Sequence, residues 1–299
     1  MSNNITGTIA KLHSHIDHSG KVEYHLPIGS KLCALNPLVG QNIKLAYTNR
    51  IECVHCGTAI KKSYQQGYCF LATRKLAQCD LCILKPELCH HHLGTCREPE
   101  WGTQHCIQDH IIYLSYTSGL KVGITRNMPT RWVDQGAVLA LPIFKVSSRR
   151  ISGLLEKALS QHISDKTAWR KMLQLKEVND CDLINKRDEL LAVIKTDITK
   201  YQQEFGASAI VRLTEASAYK FIYPVQSTPD KISSFNFDKN PEIEGRLTGI
   251  KGQYLIFEHG VINMRKFSGY EITLSSDIEL DLRDNSNAQT KPGVCPFSS

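Results

Sequence analysis

Four side chains in the middle of the chain have the types that metal-dependent phosphodiester hydrolysis needs. In the run IIYLSYTSGLKVGITRNMPTRW, Tyr113 sits on one apolar segment and Gly123 on the next. Arg131 follows that glycine by eight residues, and Glu156 lies in the later segment ISGLLEKALSQHI. Such hydrolysis requires a group that activates or relays protons from water, a cation on the phosphate and a carboxylate that holds Mg²⁺ or Mn²⁺. Tyr113 offers the phenol, Arg131 a bidentate phosphate contact and Glu156 the metal-binding carboxylate. Gly123 lets a backbone approach closely. Arg126, Asp134 and Gln135 flank this set as candidate substrate contacts. Each type also has an ordinary use: a packed strand tyrosine, an arginine stacked on Trp132, a glutamate at the solvated edge of a helix.

Directly before this run lies a cysteine-dense segment. Eight of the eleven cysteines fall between Cys53 and Cys106. In a reducing compartment such clustering points to metal rather than disulfides. Cys53-Val-His-Cys56 and Cys79-Asp-Leu-Cys82 are two knuckles whose spacing lets two thiolates grip one tetrahedral ion. Cys69, Cys89, Cys96 and Cys106 lie nearby, with His90, His91, His92 and His105. Either both knuckles hold one zinc ion, or two ions are bound. In the second case Cys79, Cys82, Cys89 and Cys96 close one site, while Cys53, Cys56 and Cys69 begin another that lacks an evident fourth ligand. Closed thiolate sites are structural and leave no position for a hydrolytic water. Cys33 and Cys181 read as small core residues, and Cys295 as a free thiol in the tail.

The elements that must position these groups follow from periodicity. Residues 1–52 alternate apolar and polar residues and read as strands. Residues 53–108 are short of periodic apolar residues and depend on metal to fold. IIYLSY and LKVGIT form a hairpin through TSG, and AVLALPIFKVSS is a further strand. Ile151, Leu154, Leu155, Ala158 and Leu159 recur at helical spacing. The same spacing predicts helices over 168–175 and over 182–205, closing a core at 109–205. Residues 206–283 return to β, with His259 and Gly260 turning between two strands, and 284–299 read as a disordered polar tail. The fold class is therefore α+β, with β-rich segments at both chain ends that could share one platform.

Composition narrows the partners. The net charge of +7 suits a polyanion, because lysine and arginine release counterions from phosphates. The N-terminus has no apolar signal core, and no apolar run reaches the roughly 18 residues that cross a bilayer. A cytoplasmic protein without a membrane partner is expected.

The order of motifs resembles the GIY-YIG nuclease superfamily. Ile111-Ile112-Tyr113 corresponds to its first motif and Lys121-Val122-Gly123 to its second. Arg131 and Glu156 correspond to its arginine and its metal-binding glutamate. The resemblance implies an α/β core that cleaves DNA or RNA with Mg²⁺ or Mn²⁺. The tyrosine that opens the second motif is Lys121 here, as in compact branches of the superfamily. Lysine can bind phosphate but is a poor base at its ordinary pKa, so His110, one residue before the first motif, is the candidate base. The whole chain also resembles a bacterial family of unknown function. Its hallmarks are the zinc knuckles, GTCREPEWG at 94–102, the hairpin at 113–126, DQGA at 134–137 and GIKGQYLIF at 249–257. Members carry a cysteine where this chain has Ala72. The expected function is cleavage of nucleic acid by a GIY-YIG-like core with one or two structural zinc ions. The alternatives are a silent zinc-containing nucleic-acid binder and a zinc-stapled protein scaffold.

Overall fold

The alternating N-terminal pattern becomes five strands: β1 (Asn4–Thr8), β2 (His13–Ile16), β3 (Val22–Ile28), β4 (Lys31–Ala34) and β5 (Asn42–Ile51). The computed structural model describes residues 3–163, 167–178, 182–286 and 295. A short helix, α1 (Phe70–Lys75), follows the first knuckle. The chain divides into two units, one of residues 1–75 with 222–299 and one of residues 76–221. The boundary thus falls inside the cysteine-rich segment.

The second unit opens with short turns and α2 (Pro99–Cys106). Its sheet comes from β6 (His110–Tyr116), β7 (Leu120–Thr125) and β8 (Leu139–Val146), with α3 (Thr130–Asp134) between β7 and β8. The β6–β7 hairpin turns through Thr117, Ser118 and Gly119, so Tyr116 pairs with Leu120 and Tyr113 with Gly123. β8 lies on the other side of β6. Its Pro142 has no N–H to donate and pairs with Tyr113 at a register shift, the kind of place where a sheet tolerates proline. Next come α4 (Arg149–Ser160), capped by Ser148 Oγ, then α5 (Trp169–Gln174), α6 (Leu183–Val193) and α7 (Lys195–Phe205). β9 (Ile210–Arg212) and β10 (Tyr219–Lys220) both pair with β8.

Ile151, Leu155, Ala158 and Leu159 of α4 pack with Ile112, Leu114 and Val122 of the hairpin and with Leu190, Leu191, Ile194 and Ile198. The single helix expected over 182–205 is two helices. Ile194 leaves helical geometry (φ −92°, ψ 16°) and is wholly buried, so the residues on both sides of the break reach one core.

The chain then returns to the first unit with β11 (Glu242–Lys251), β12 (Tyr254–Phe257), β13 (Gly260–Asn263), β14 (Tyr270–Ser276) and β15 (Leu282–Asp284). One sheet has the order β1-β14-β5-β11-β12-β13, and a second β15-β4-β3-β2. Strands from the two ends of the chain therefore pair directly. Buried Gln253 clamps Leu12, accepting from its N–H at 2.8 Å and donating to its carbonyl at 3.1 Å. The ladders between named strands are antiparallel in all three sheets, giving a mixed α+β protein. Among the described residues no helix is long and apolar enough to cross a membrane. Cys181, and the tail beyond residue 286 except Cys295, lie outside the described residues.

Candidate functional site

Side chains alternate across β6, so Tyr113 and Ser115 share one face with their cross-strand partners Gly123 and Lys121. Tyr113 is completely buried, and its ring lies over Gly123. A Cβ at position 123 would stand 2.6 Å from the phenol oxygen. The close approach that this glycine permits is therefore that of the tyrosine ring. Trp132 of α3 meets the ring edge-on, with centroids 5.6 Å apart.

The phenol O–H donates to Gln135 Oε1 at 2.9 Å, just beyond the end of α3, and the charge of the Arg131 guanidinium acts on the same hydroxyl. Burial pushes the Tyr113 pKa up to about 12. Arg131 pulls against that shift and Glu156 adds to it. At neutral pH the phenol is thus a neutral, oriented hydrogen-bond donor. Tyr113, Gly123, Arg131, Gln135 and Glu156 come together in this way. Lys121 lies two residues along the same face and is only 5% exposed, whereas Asp134 is half-buried at the end of α3.

His110 is placed elsewhere. Strand alternation puts it on the opposite face from Tyr113, among the charges of Arg149, Arg126 and Cys89. Its Nδ1–H donates to Gln108 O at 2.8 Å, and its buried Nε2 has no hydrogen-bond partner among the described residues. Burial takes its pKa down to about 4, so the ring is neutral. Arg126 follows β7 on that side, near Arg149 and Cys106.

The cysteines sort into two groups, one in each unit. In the second unit Cys82, Cys89 and Cys106 pack together against Trp101. With Asp80, His90 and Cys96 they line a cavity of about 10 Å³, room for one body the size of a water molecule. Hydrogen bonds from Cys106 and Cys82 hold the Cys89 thiol far below its ordinary range and raise those of the two donors. One donor atom each from Asp80, Cys82 and His90 also converges within 4.8 Å. Cys79 is buried but does not line the cavity. Arg97 and Glu98 of the GTCREPEWG stretch brace the turns around it. Arg97 pairs with Asp80 at 2.6 Å, and Glu98 accepts from the Ala77 N–H at 2.6 Å.

This group is docked on α4. Arg149 donates to the carbonyls of Ile83 at 2.7 Å and Cys82 at 3.3 Å. One turn later, a Cβ on Gly153 would stand 2.2 Å from the Glu87 nitrogen. Only glycine lets the 86–88 turn lie so close to the helix that carries Glu156.

In the first unit the donor atoms of Cys53, Cys56 and Cys69 lie within 4.8 Å of one another, all buried. Cys69 N–H donates to Cys53 Sγ at 3.2 Å and Ala72 N–H to Cys69 Sγ at 3.3 Å. Such N–H···S bonds stabilise thiolates, and the donor set is compatible with zinc. Burial raises the Cys56 thiol, but Thr58, whose Oγ1 lies 3.3 Å from the sulfur, together with Cys53 and Cys295 outweighs this and leaves it below the ordinary thiol value. Cys295, read from the sequence as a free thiol in the tail, forms no disulfide. It is buried, with its sulfur 3.7 Å from that of Cys69.

A family model described as "Protein of unknown function (DUF2797)" matches residues 40–272. The chain belongs to that family. No curated protein and no solved structure matches it. The match spans both units, so this DUF2797 member holds the Tyr113 set and the cysteines from Cys53 to Cys106 inside the family region and Cys295 outside it. Sequence reasoning left Cys106 and Cys295 out of the ligand sets, and linear spacing carries no signal for either pairing.

Proposed function

We propose that this protein acts on nucleic acid and cleaves phosphodiester bonds through a GIY-YIG-like core, with a divalent metal at Glu156. The convergence of Tyr113, Arg131 and Glu156 carries this reading. What supports the reading is that the charges of Arg131 and Glu156, groups distant in sequence, both act on the Tyr113 hydroxyl. The order β7-β6-β8, with Arg131 on the next helix and Glu156 on α4, supports it. Arg131 would clamp the phosphate, Glu156 would hold Mg²⁺ or Mn²⁺, and Tyr113, whose O–H is given to Gln135, would orient water by accepting a hydrogen bond from it. The metal would supply Lewis-acid stabilisation of the developing charge. Zinc in the two cysteine groups serves as a structural staple, and the positive net charge favours a polyanionic partner.

A second reading, a silent nucleic-acid binder, is favoured by Lys121, a buried cation where the resemblance expects a proton-transferring tyrosine. Purified protein incubated with supercoiled, linear, branched and single-stranded substrates, with Mg²⁺ or Mn²⁺, separates the two. Cleavage by wild type that is lost in Glu156→Ala and Tyr113→Phe supports the nuclease. Equal cleavage by Glu156→Ala refutes it, and salt-sensitive binding without cleavage selects the silent binder.

A further inference from the structure

The three thiols of the first unit make an incomplete tetrahedral set. Cys69 and Ala72 repeat the spacing of Cys53 and Cys56, but the second place holds a fully buried alanine that offers only its N–H to the Cys69 sulfur. A fourth donor must come from another part of the chain. Cys295 stands there. Its sulfur lies 3.7 Å from that of Cys69, 226 residues earlier.

We propose that Cys53, Cys56, Cys69 and Cys295 form a closed four-thiolate zinc site that fastens the C-terminal end of the chain to the first knuckle. A tetrahedron of zinc–sulfur bonds of about 2.3 Å has sulfur–sulfur edges of about 3.8 Å. The Cys69–Cys295 separation matches such an edge and far exceeds the roughly 2.05 Å of a disulfide. Thiolate donors in a closed set select zinc over magnesium or calcium, which take oxygen ligands. The charge of four thiolates is met by backbone donors. Cys53 accepts from the Cys69 N–H and Cys69 from the Ala72 N–H. All four sulfurs belong to the unit whose sheets join the two ends of the chain. Zinc binding at these four sulfurs therefore closes a very long loop, and the metal's binding energy adds to the folding energy of this unit. This inference is independent of whether the other unit cleaves nucleic acid.

The test uses full-length, zinc-loaded protein titrated with a zinc chelator, alkylated, and mapped by peptide mass spectrometry, which reads each cysteine separately. In wild type, Cys295 is protected and becomes alkylated at the same chelator concentration as Cys53, Cys56 and Cys69. In Cys295→Ser, those three become alkylated at a chelator concentration at least about tenfold lower, the scale expected for loss of a ligand. The midpoint for Cys82, Cys89 and Cys106 stays unchanged. The wild-type measurement stands alone should the variant fold poorly. Alkylation of Cys295 in zinc-loaded wild type, a Cys69–Cys295 disulfide in the peptide map, or a midpoint unmoved in well-folded Cys295→Ser would each overturn the assignment.

Discussion

Gly123→Ala tests the candidate site with a single methyl group. The added Cβ would lie 2.6 Å from the Tyr113 oxygen and 2.7 Å from Cζ, too close for any real contact. The ring has little room to retreat. It is completely buried, Trp132 meets it edge-on, and Gln135 holds its oxygen. Overpacking of this kind costs about 1–3 kcal/mol, and a displaced phenol forfeits a buried hydrogen bond worth about 1 kcal/mol more. The total of about 2–4 kcal/mol lowers the melting temperature of the second unit by roughly 5–15 °C, at about 2–4 °C per kcal/mol for a unit of this size. Thermal unfolding by calorimetry checks this, and a double-mutant cycle with Tyr113→Ala sharpens it. Removing the ring opens space for the methyl, so the alanine at 123 should cost under about 0.5 kcal/mol in that background and leave a coupling of about 2 kcal/mol or more. Additive losses, or a Gly123→Ala protein that melts like wild type, would refute the claim that this glycine exists to seat the tyrosine.

Three further perturbations have determined directions. Gly153→Ala sets a methyl against the backbone of residues 86 and 87 and should cost about 2–3 kcal/mol, read by hydrogen exchange as faster opening of the 81–93 turns. Lys251 is buried, and burial holds its pKa down at about 8, below the unfolded value near 10.4. The folded state then carries an unfavourable contribution of about 3 kcal/mol that is complete below pH 8 and relieved as pH rises toward about 10.4. Lys251→Met should therefore stabilise the first unit in denaturant titrations at pH 7 and lose most of that advantage above pH 10, while an advantage equal at both pH values would contradict the assignment. Chelation of zinc should lower the unfolding temperature of both units, since each buries a thiol group; calorimetry in which chelator moves neither transition would refute both metal sites.

The hairpin was legible in the sequence because its register is local. A three-residue turn at Thr117, Ser118 and Gly119 pairs Tyr116 with Leu120, and pairing outward from there must set Tyr113 opposite Gly123. The α4 face was legible for the same reason: Ile151, Leu155, Ala158 and Leu159 repeat at helical spacing and are buried. The break at Ile194 was not. Leu190, Leu191, Ile194 and Ile198 keep the spacing of one continuous helix, and only packing against a common core bends it. Thiol pairing was hidden most thoroughly. The unit boundary after Lys75 sends neighbouring knuckles into different units, and the 3.7 Å approach of Cys295 to Cys69 is set by contacts 226 residues apart.

Electrostatics decide what the Tyr113 site can hold. Arg131 lies against the phenol, Lys121 is buried on the same strand face, and Glu156 is the carboxylate whose charge reaches Tyr113. Mg²⁺ dehydrates reluctantly and is usually held by one or two carboxylates together with substrate phosphates. A site with one such carboxylate beside two cations gives a divalent ion little reason to stay by itself. A phosphate reverses the balance, because it neutralises Arg131 and Lys121 and supplies the missing oxygen ligands. For a phosphodiesterase built this way, metal and nucleic acid bind cooperatively, each raising the affinity of the other by the same factor. For a silent binder the phosphate alone satisfies the cations, and adding Mg²⁺ only competes for it. The sign of the Mg²⁺ effect on nucleic-acid affinity thus follows from whether Glu156 is used.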